Sequence, residues 1–231
     1  MDRYPWNMEP QRITTHIKRP EKLNFDSSGN LAVPLVLSPL MVGIAFVLLM
    51  ALGGCSRDGS GIPNGTSGDY YFKFQVDGVQ HSYPFAPETQ INLTGILDHD
   101  RDSGLYAMNV AGIRDIGETV PRNRVIIFIG EYGQIKAGAP YSNFPVQQGE
   151  GPHSIFQLSY FDGQGNIHTA ANNTHATSLY DKATVSFSEI APDHISGTFS
   201  GTLKWYDASG GSVVLMGSVE IGRGSFKVPR H

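Results

Sequence analysis

The sequence predicts an all-β protein: an antiparallel β-sandwich of about nine or ten strands, with a closed β-barrel as the alternative. Three observations carry this. Apolar and polar residues alternate with period two along most of the chain after residue 69. Turn-forming clusters such as Asp77-Gly78, Asp162-Gly163-Gln164-Gly165-Asn166 and Asp207-Ala208-Ser209-Gly210-Gly211 separate these runs. No segment after Cys55 carries an apolar stripe of period 3.6 over helical length.

The first 54 residues are of another kind. Lys18, Arg19 and Lys22 supply positive charge, with Asp26 after them, and Leu31 to Ser56 contains no charged residue. The thirteen residues Leu40–Leu52 read LMVGIAFVLLMAL and lead into Leu52-Gly53-Gly54-Cys55, the only cysteine of the 231-residue chain. That length fits the apolar core of a signal peptide, about 7–15 residues. Leu52, Gly53, Gly54 and Cys55 resemble the lipobox of bacterial lipoproteins, with Gly53 where Ala, Ser, Thr or Val is usual. The resemblance implies cleavage before Cys55 and lipid on its thiol. Some thirty residues precede the apolar stretch, where a signal peptide normally has a short basic segment; an initiator downstream of Met1 would shorten it, but Met41 as initiator would lose all the basic charge. An uncleaved membrane anchor is one alternative, since Leu31–Leu52 reaches the about 20 apolar residues that span a bilayer, and the upstream basic residues would hold that end in the cytoplasm. A buried core helix ending at a free thiol is another. The first two readings put the rest of the chain outside the cytoplasm.

Residues 1–54 are therefore expected to be an N-terminal extension and signal peptide. Residues 55–68, rich in Gly, Ser, Asn and Pro, are expected to be a flexible tether. Residues 69–231 form one domain, large enough to bury about 70% of its unfolded surface. A single cysteine forbids an internal disulfide, so packing must hold this domain.

Its strands follow in order. Phe72, Phe74 and Val76 alternate with Tyr71, Lys73 and Gln75, Asp77-Gly78 turns the chain, and Val79–Phe85 returns. Ile91 and Leu93 alternate with Gln90, Asn92 and Thr94; Tyr106, Met108 and Val110 alternate with Ala107 and Asn109. Arg124–Ile129 is nearly continuous apolar sequence, as expected of a strand covered on both faces. Ile155–Phe161 is a further strand. Ile195, Phe199, Leu203 and Trp205 share one face, with Gly197 and Gly201 between them and Ser196, Thr198, Ser200, Thr202 and Lys204 opposite. Ser212–Ile221 returns, Gly222–Ser225 reads as a turn, and Gly224–Val228 closes. Ile113–Arg122, Gly130–Gly151 and Asn166–Thr177 read as loops.

Val76-Asp77-Gly78, Ser196-Gly197-Thr198-Phe199 and Gly224-Ser225-Phe226-Lys227-Val228, together with the lipobox and tether, resemble a group of Bacteroidota envelope lipoproteins. The resemblance implies a β-sandwich held at the outer membrane, on its periplasmic face or at the cell surface. It implies no catalytic residues.

Composition narrows the partners. Residues 55–231 hold 12 Lys and Arg against 17 Asp and Glu, a net charge of −5 with His neutral. That balance argues against nucleic acid, which calls for a basic face. No nucleotide-loop or nucleophile-elbow motif occurs, and no cofactor is expected. Asp98, Asp100 and Asp102 alternate and could face one hard cation. The calcium-loop template fails at Ser103 and Asn109, and a solvated turn explains the carboxylates as well. His153, His168, His175 and His194 lack metal-ligand spacing and read as surface histidines. Glu131 or Glu150 with Asp115 would be the acid–base pair of a glycosidase. Tyr132, Tyr141 and Phe144 crowd one Gly/Pro-rich segment, where rigid rings can stack a ligand or cap the fold.

The expected function is that of a lipid-anchored, non-catalytic binding or accessory module with a glycan or envelope-protein partner. A hydrolase of glycan or peptide on the same scaffold is the alternative. Replacing Cys55 by Ala should abolish fatty-acid labelling and release the protein from the membrane fraction. Retained label after Cys55→Ala would refute lipidation at this residue.

Overall fold

The computed structural model describes residues 69–145, 153–173 and 178–231. Cys55, the lipobox Leu52–Gly54 and the tether lie outside the described residues, as do Glu150 and His175. Among the described residues there are eleven strands and no helix. They are β1 (Tyr71–Val76), β2 (Val79–Pro84), β3 (Leu93–Asp100), β4 (Leu105–Ile113), β5 (Arg124–Glu131), β6 (Pro140–Ser142), β7 (Ile155–Phe161), β8 (Ile167–Ala171), β9 (Ala183–Ile190), β10 (His194–Asp207) and β11 (Val214–Pro229).

All belong to one antiparallel sheet that is nearly closed and barrel-shaped. Its order is β2-β1-β11-β10-β8-β7-β5-β4-β3, with β9 also pairing β10 and β6 pairing β9. The long β10 forks the sheet: Ile195–Gly201 face β9, while Lys204 faces Thr169 of β8. At the far edge, β3 returns to the end of β11, where the His231 N–H donates to the Gly95 carbonyl at 2.9 Å. All-β architecture is as predicted, and the barrel alternative describes its closure.

Alternation puts one side chain in two inside. Phe72, Phe74, Leu93, Met108, Val110, Val125, Ile127, Ile129, Leu158, Val185, Phe187, Ile195, Leu203, Phe226 and Val228 are buried. The Asp77-Gly78 hairpin forms as read, with φ of 48° and 83° at the two residues. An aromatic cluster bridges the walls. Phe72 lies 5.7 Å from Phe226 and 5.2 Å from Phe199, and Phe74 lies 5.9 Å from Tyr160 on β7. Gly197 sits among these rings because nothing larger fits: a β-carbon there would meet the Ser186 carbonyl oxygen and lie 2.8 Å from Phe226 Cζ.

Several readings of the sequence change. Gly222–Ser225 is not a turn; β11 runs unbroken through it with a bulge. The stretches read as loops contain β6 and β8, and β9 had no counterpart in the sequence reading. Trp205 is half-buried rather than core, its ring centre 6.1 Å from that of His168, where β10 has passed from pairing with β9 to pairing with β8. Ile91 is exposed while Asn92 is buried, accepting from Ala86 N–H at 2.9 Å and donating to the Pro84 carbonyl at 2.7 Å. The strand begins only at Leu93, so alternation does not govern Ile91.

Phe199 is 3% exposed and Thr198, its neighbour, points to solvent. Phe199→Ala should therefore cost about 3–5 kcal/mol in urea melts of the full chain. Thr198→Ala should stay within about 0.5 kcal/mol. The reverse order would mean that the register of β10 is wrong by one residue.

Candidate binding cleft

β5 ends at Glu131, and the chain returns through a loop to the three residues of β6, which pair with the start of β9: Tyr141 faces Val185 and Ser142 faces Thr184. Asn143 fixes this corner from inside. Its amide donates to the Ala171 carbonyl at 3.1 Å and the Asp181 carbonyl at 2.8 Å, and its carbonyl accepts from Ala183 N–H at 2.9 Å. A fully buried asparagine so satisfied locks β6 to the ends of β8 and β9.

An open cleft of about 790 Å³ lies over this corner, lined among others by Glu131, Tyr141, Ser142, Phe144, Ser154 and Lys182. Tyr141 is held rigidly. Its phenol accepts from Lys136 N–H at 2.7 Å and donates to the Lys136 carbonyl at 3.2 Å, and its ring packs 5.6 Å from Phe187. Phe144 is 37% exposed. Burial pushes the Glu131 carboxyl above the usual carboxylate range, against the lowering effect of its hydrogen bond with Ser154. The cleft thus offers two aromatic rings, one carboxyl, one ammonium and several hydroxyls. That set recognises a polar ligand with apolar faces.

A second, shallower depression of about 350 Å³ adjoins it through shared Thr184. It is lined by Thr184, Ser186, Thr198, Ser200, Arg223 and Ser225, all from β9, β10 and β11.

Of the residues singled out in the sequence, Tyr141 and Phe144 meet in the cleft, while Tyr132 is exposed outside its lining. Glu131 does not meet Asp115. Glu131 is the last residue of β5 while Asp115 lies beside Asn123 at its start, and the seven steps of β5 span about 23 Å. Asp115 is instead engaged by Asn123 Nδ2 at 2.7 Å. The Asp98 and Asp100 carboxylates serve their own turn: Asp100 accepts from Asp102 N–H at 3.0 Å and Ser103 Oγ at 2.6 Å, and Asp98 from His99 N–H at 2.8 Å. Among the described residues, no three His, Cys, Asp or Glu side chains converge on a metal position. Lys182 and Thr184 escaped notice because they stand about 40 residues from Tyr141 and meet it only through β6–β9 pairing. Alternation in Ala183–Ile190 was the signal that would have found them.

His168 is buried on β8 rather than on the surface. It lies between the rings of Tyr160 (6.2 Å) and Trp205 (6.1 Å), with Nε2 3.4 Å from Asp162 Oδ2. His194 is half-buried rather than fully at the surface, its ring nitrogens facing Asp193 (2.9 Å) and Glu189 (3.1 Å).

Compared with protein-family models, curated proteins and solved structures, the chain has no significant match in any of the three.

Asp162 organises the β7–β8 turn: Oδ1 accepts from Gln164 N–H at 2.8 Å and Asn166 N–H at 2.9 Å, and Oδ2 from Asn166 Nδ2 at 2.9 Å. Burial works to raise its pKa, but the hydrogen bonds from Asn166, Gln164 and His168 outweigh this and leave it lowered. A lowered carboxyl stabilises the fold above its unfolded pKa and loses that contribution as pH falls through the folded value. Asp162→Ala should therefore cost about 1–3 kcal/mol at pH 7. The gap to wild type should narrow below about pH 4. A gap that is constant down to pH 2 in urea melts would show that the charge is not what stabilises the turn.

Proposed function

We propose that the protein is a lipid-anchored envelope protein whose barrel domain binds a glycan in the cleft over the corner formed by β6 and β9. The anchoring half of this reading rests on the apolar run ending at Cys55. The binding half rests on one observation: Tyr141 and Phe144 stand with Glu131, Lys182 and hydroxyl side chains around a single open cleft. Aromatic faces stack on the C–H faces of sugar rings, while carboxyl, ammonium and hydroxyl groups bond their hydroxyls. A protein partner would ask instead for a central apolar anchor desolvated from all sides.

Binding fits better than hydrolysis. Glycoside cleavage needs two carboxyl groups about 5–9.5 Å apart across the bond. Glu131 has no such companion among the described lining residues of the cleft.

Phe144 is the side chain to test, since it is partly exposed and Tyr141 also supports the core. Phe144→Ala should leave the melting temperature within about 2 °C and weaken binding of purified envelope polysaccharide at least tenfold, or about 1.4 kcal/mol. Scanning calorimetry reads the first and titration calorimetry the second. Saturable binding that is indifferent to Phe144 would remove the cleft from the reading; no saturable binding of any glycan would remove the reading itself.

A further inference from the structure

β11 carries one residue too many for both of its neighbours. Along β1, two steps from Lys73 to Gln75 match three from Ser225 to Gly222; along β10, two steps from Phe199 to Gly201 match three from Gly224 to Ile221. Arg223 is the residue inside both mismatches, and its φ is +49°. Left-handed backbone at a non-glycine residue stores strain, which persists only where the surroundings impose it and which gathers at functional positions. Bulges re-aim a side chain. Gly222 and Gly224 stand on either side, yet the left-handed position falls on the arginine. Gly224 has a separate duty, because a β-carbon there would lie 2.7 Å from the Phe199 ring.

The arginine so aimed is exposed and lines the shallow depression. Among the described residues no ion pair or hydrogen bond engages its guanidinium. Its surroundings are hydroxyls in register. Ser186, Thr198, Ser225 and Lys73 face one another in turn across β9, β10, β11 and β1. Ser142, Thr184 and Ser200 form the next row, which ends at the bulge. At about 4.8 Å per strand, the first row is about 14 Å long. No carboxylate is in the lining.

Building on the glycan reading, we propose that Arg223 is the anion-recognising residue of an extension of the cleft. The extension takes the carboxylate or sulfate group of an acidic polysaccharide whose chain lies across the serine and threonine rows. A guanidinium binds such oxyanions through two parallel N–H donors, and hydroxyls serve the neighbouring sugar oxygens in either direction. Thr184, shared by both depressions, makes the path from Phe144 to Arg223 continuous.

The full chain in detergent can be titrated with alginate (a polyuronate), dextran sulfate and neutral dextran. At least one acidic polymer should bind tenfold or more tightly than neutral dextran, and which one separates carboxylate from sulfate recognition. Arg223→Gly should bring that ratio to near one, and it should melt no lower than wild type, because glycine adopts this φ without steric cost. Arg223→Lys, which keeps charge but loses the fork, should fall between them. The proposal is overturned if acidic and neutral polymers bind alike, or if Arg223→Gly keeps the preference. Should neutral dextran bind through Phe144 with no acidic preference, the cleft reading survives and this one fails; should nothing bind, both fail.

Discussion

The close approach of β10 and β11 is the constraint on which the rest of this domain depends. Phe199 and Phe226 project inward from these paired strands and meet Phe72 and Phe74 from β1. Each ring is almost wholly buried. Edge and stacked contacts of this kind add about 0.5–1.5 kcal/mol apiece beyond the burial itself. The rings fit only because Gly197 and Gly224 leave their own space empty. A core built this way has little tolerance for larger residues, since interiors are packed like crystals rather than liquids.

The outer face inherits its order from the inner one. Inward Val185, Phe187, Phe199 and Phe226 fix the registers of β9, β10 and β11, and alternation then has no choice about Thr184, Ser186, Thr198 and Ser225. The hydroxyl rows are thus positioned by hydrophobic packing on the other side of the sheet. The corner that holds Tyr141 and Phe144 is fixed separately, by the buried Asn143 and its three backbone partners.

Much of the fold is legible in the sequence because it is local. Asp77-Gly78 turns the chain where its residue types demand, and Ile195, Phe199 and Leu203 face inward as their spacing requires. What is not legible depends on partners distant in sequence. Gly222 and Gly224 look like a turn; in the fold one neighbour is excused its side chain by Phe199, and β11 continues. His168 looks like a loop residue until Tyr160 and Trp205 enclose it. For the cleft, two aromatic residues were visible as a cluster in one segment. Lys182 and Thr184 were not, because pairing between β6 and β9 is what brings them near.

The position of β1 has a mechanical consequence. Tension on the chain before Asp69 enters the domain through a strand paired on both sides, to β2 and to β11. Drawn along its own length, β1 cannot be peeled away one hydrogen bond at a time; its two ladders must slide together, and Phe72 and Phe74 must leave the core in the same movement. The strand that leads into the domain from its N-terminal side is therefore among the hardest to extract by pulling.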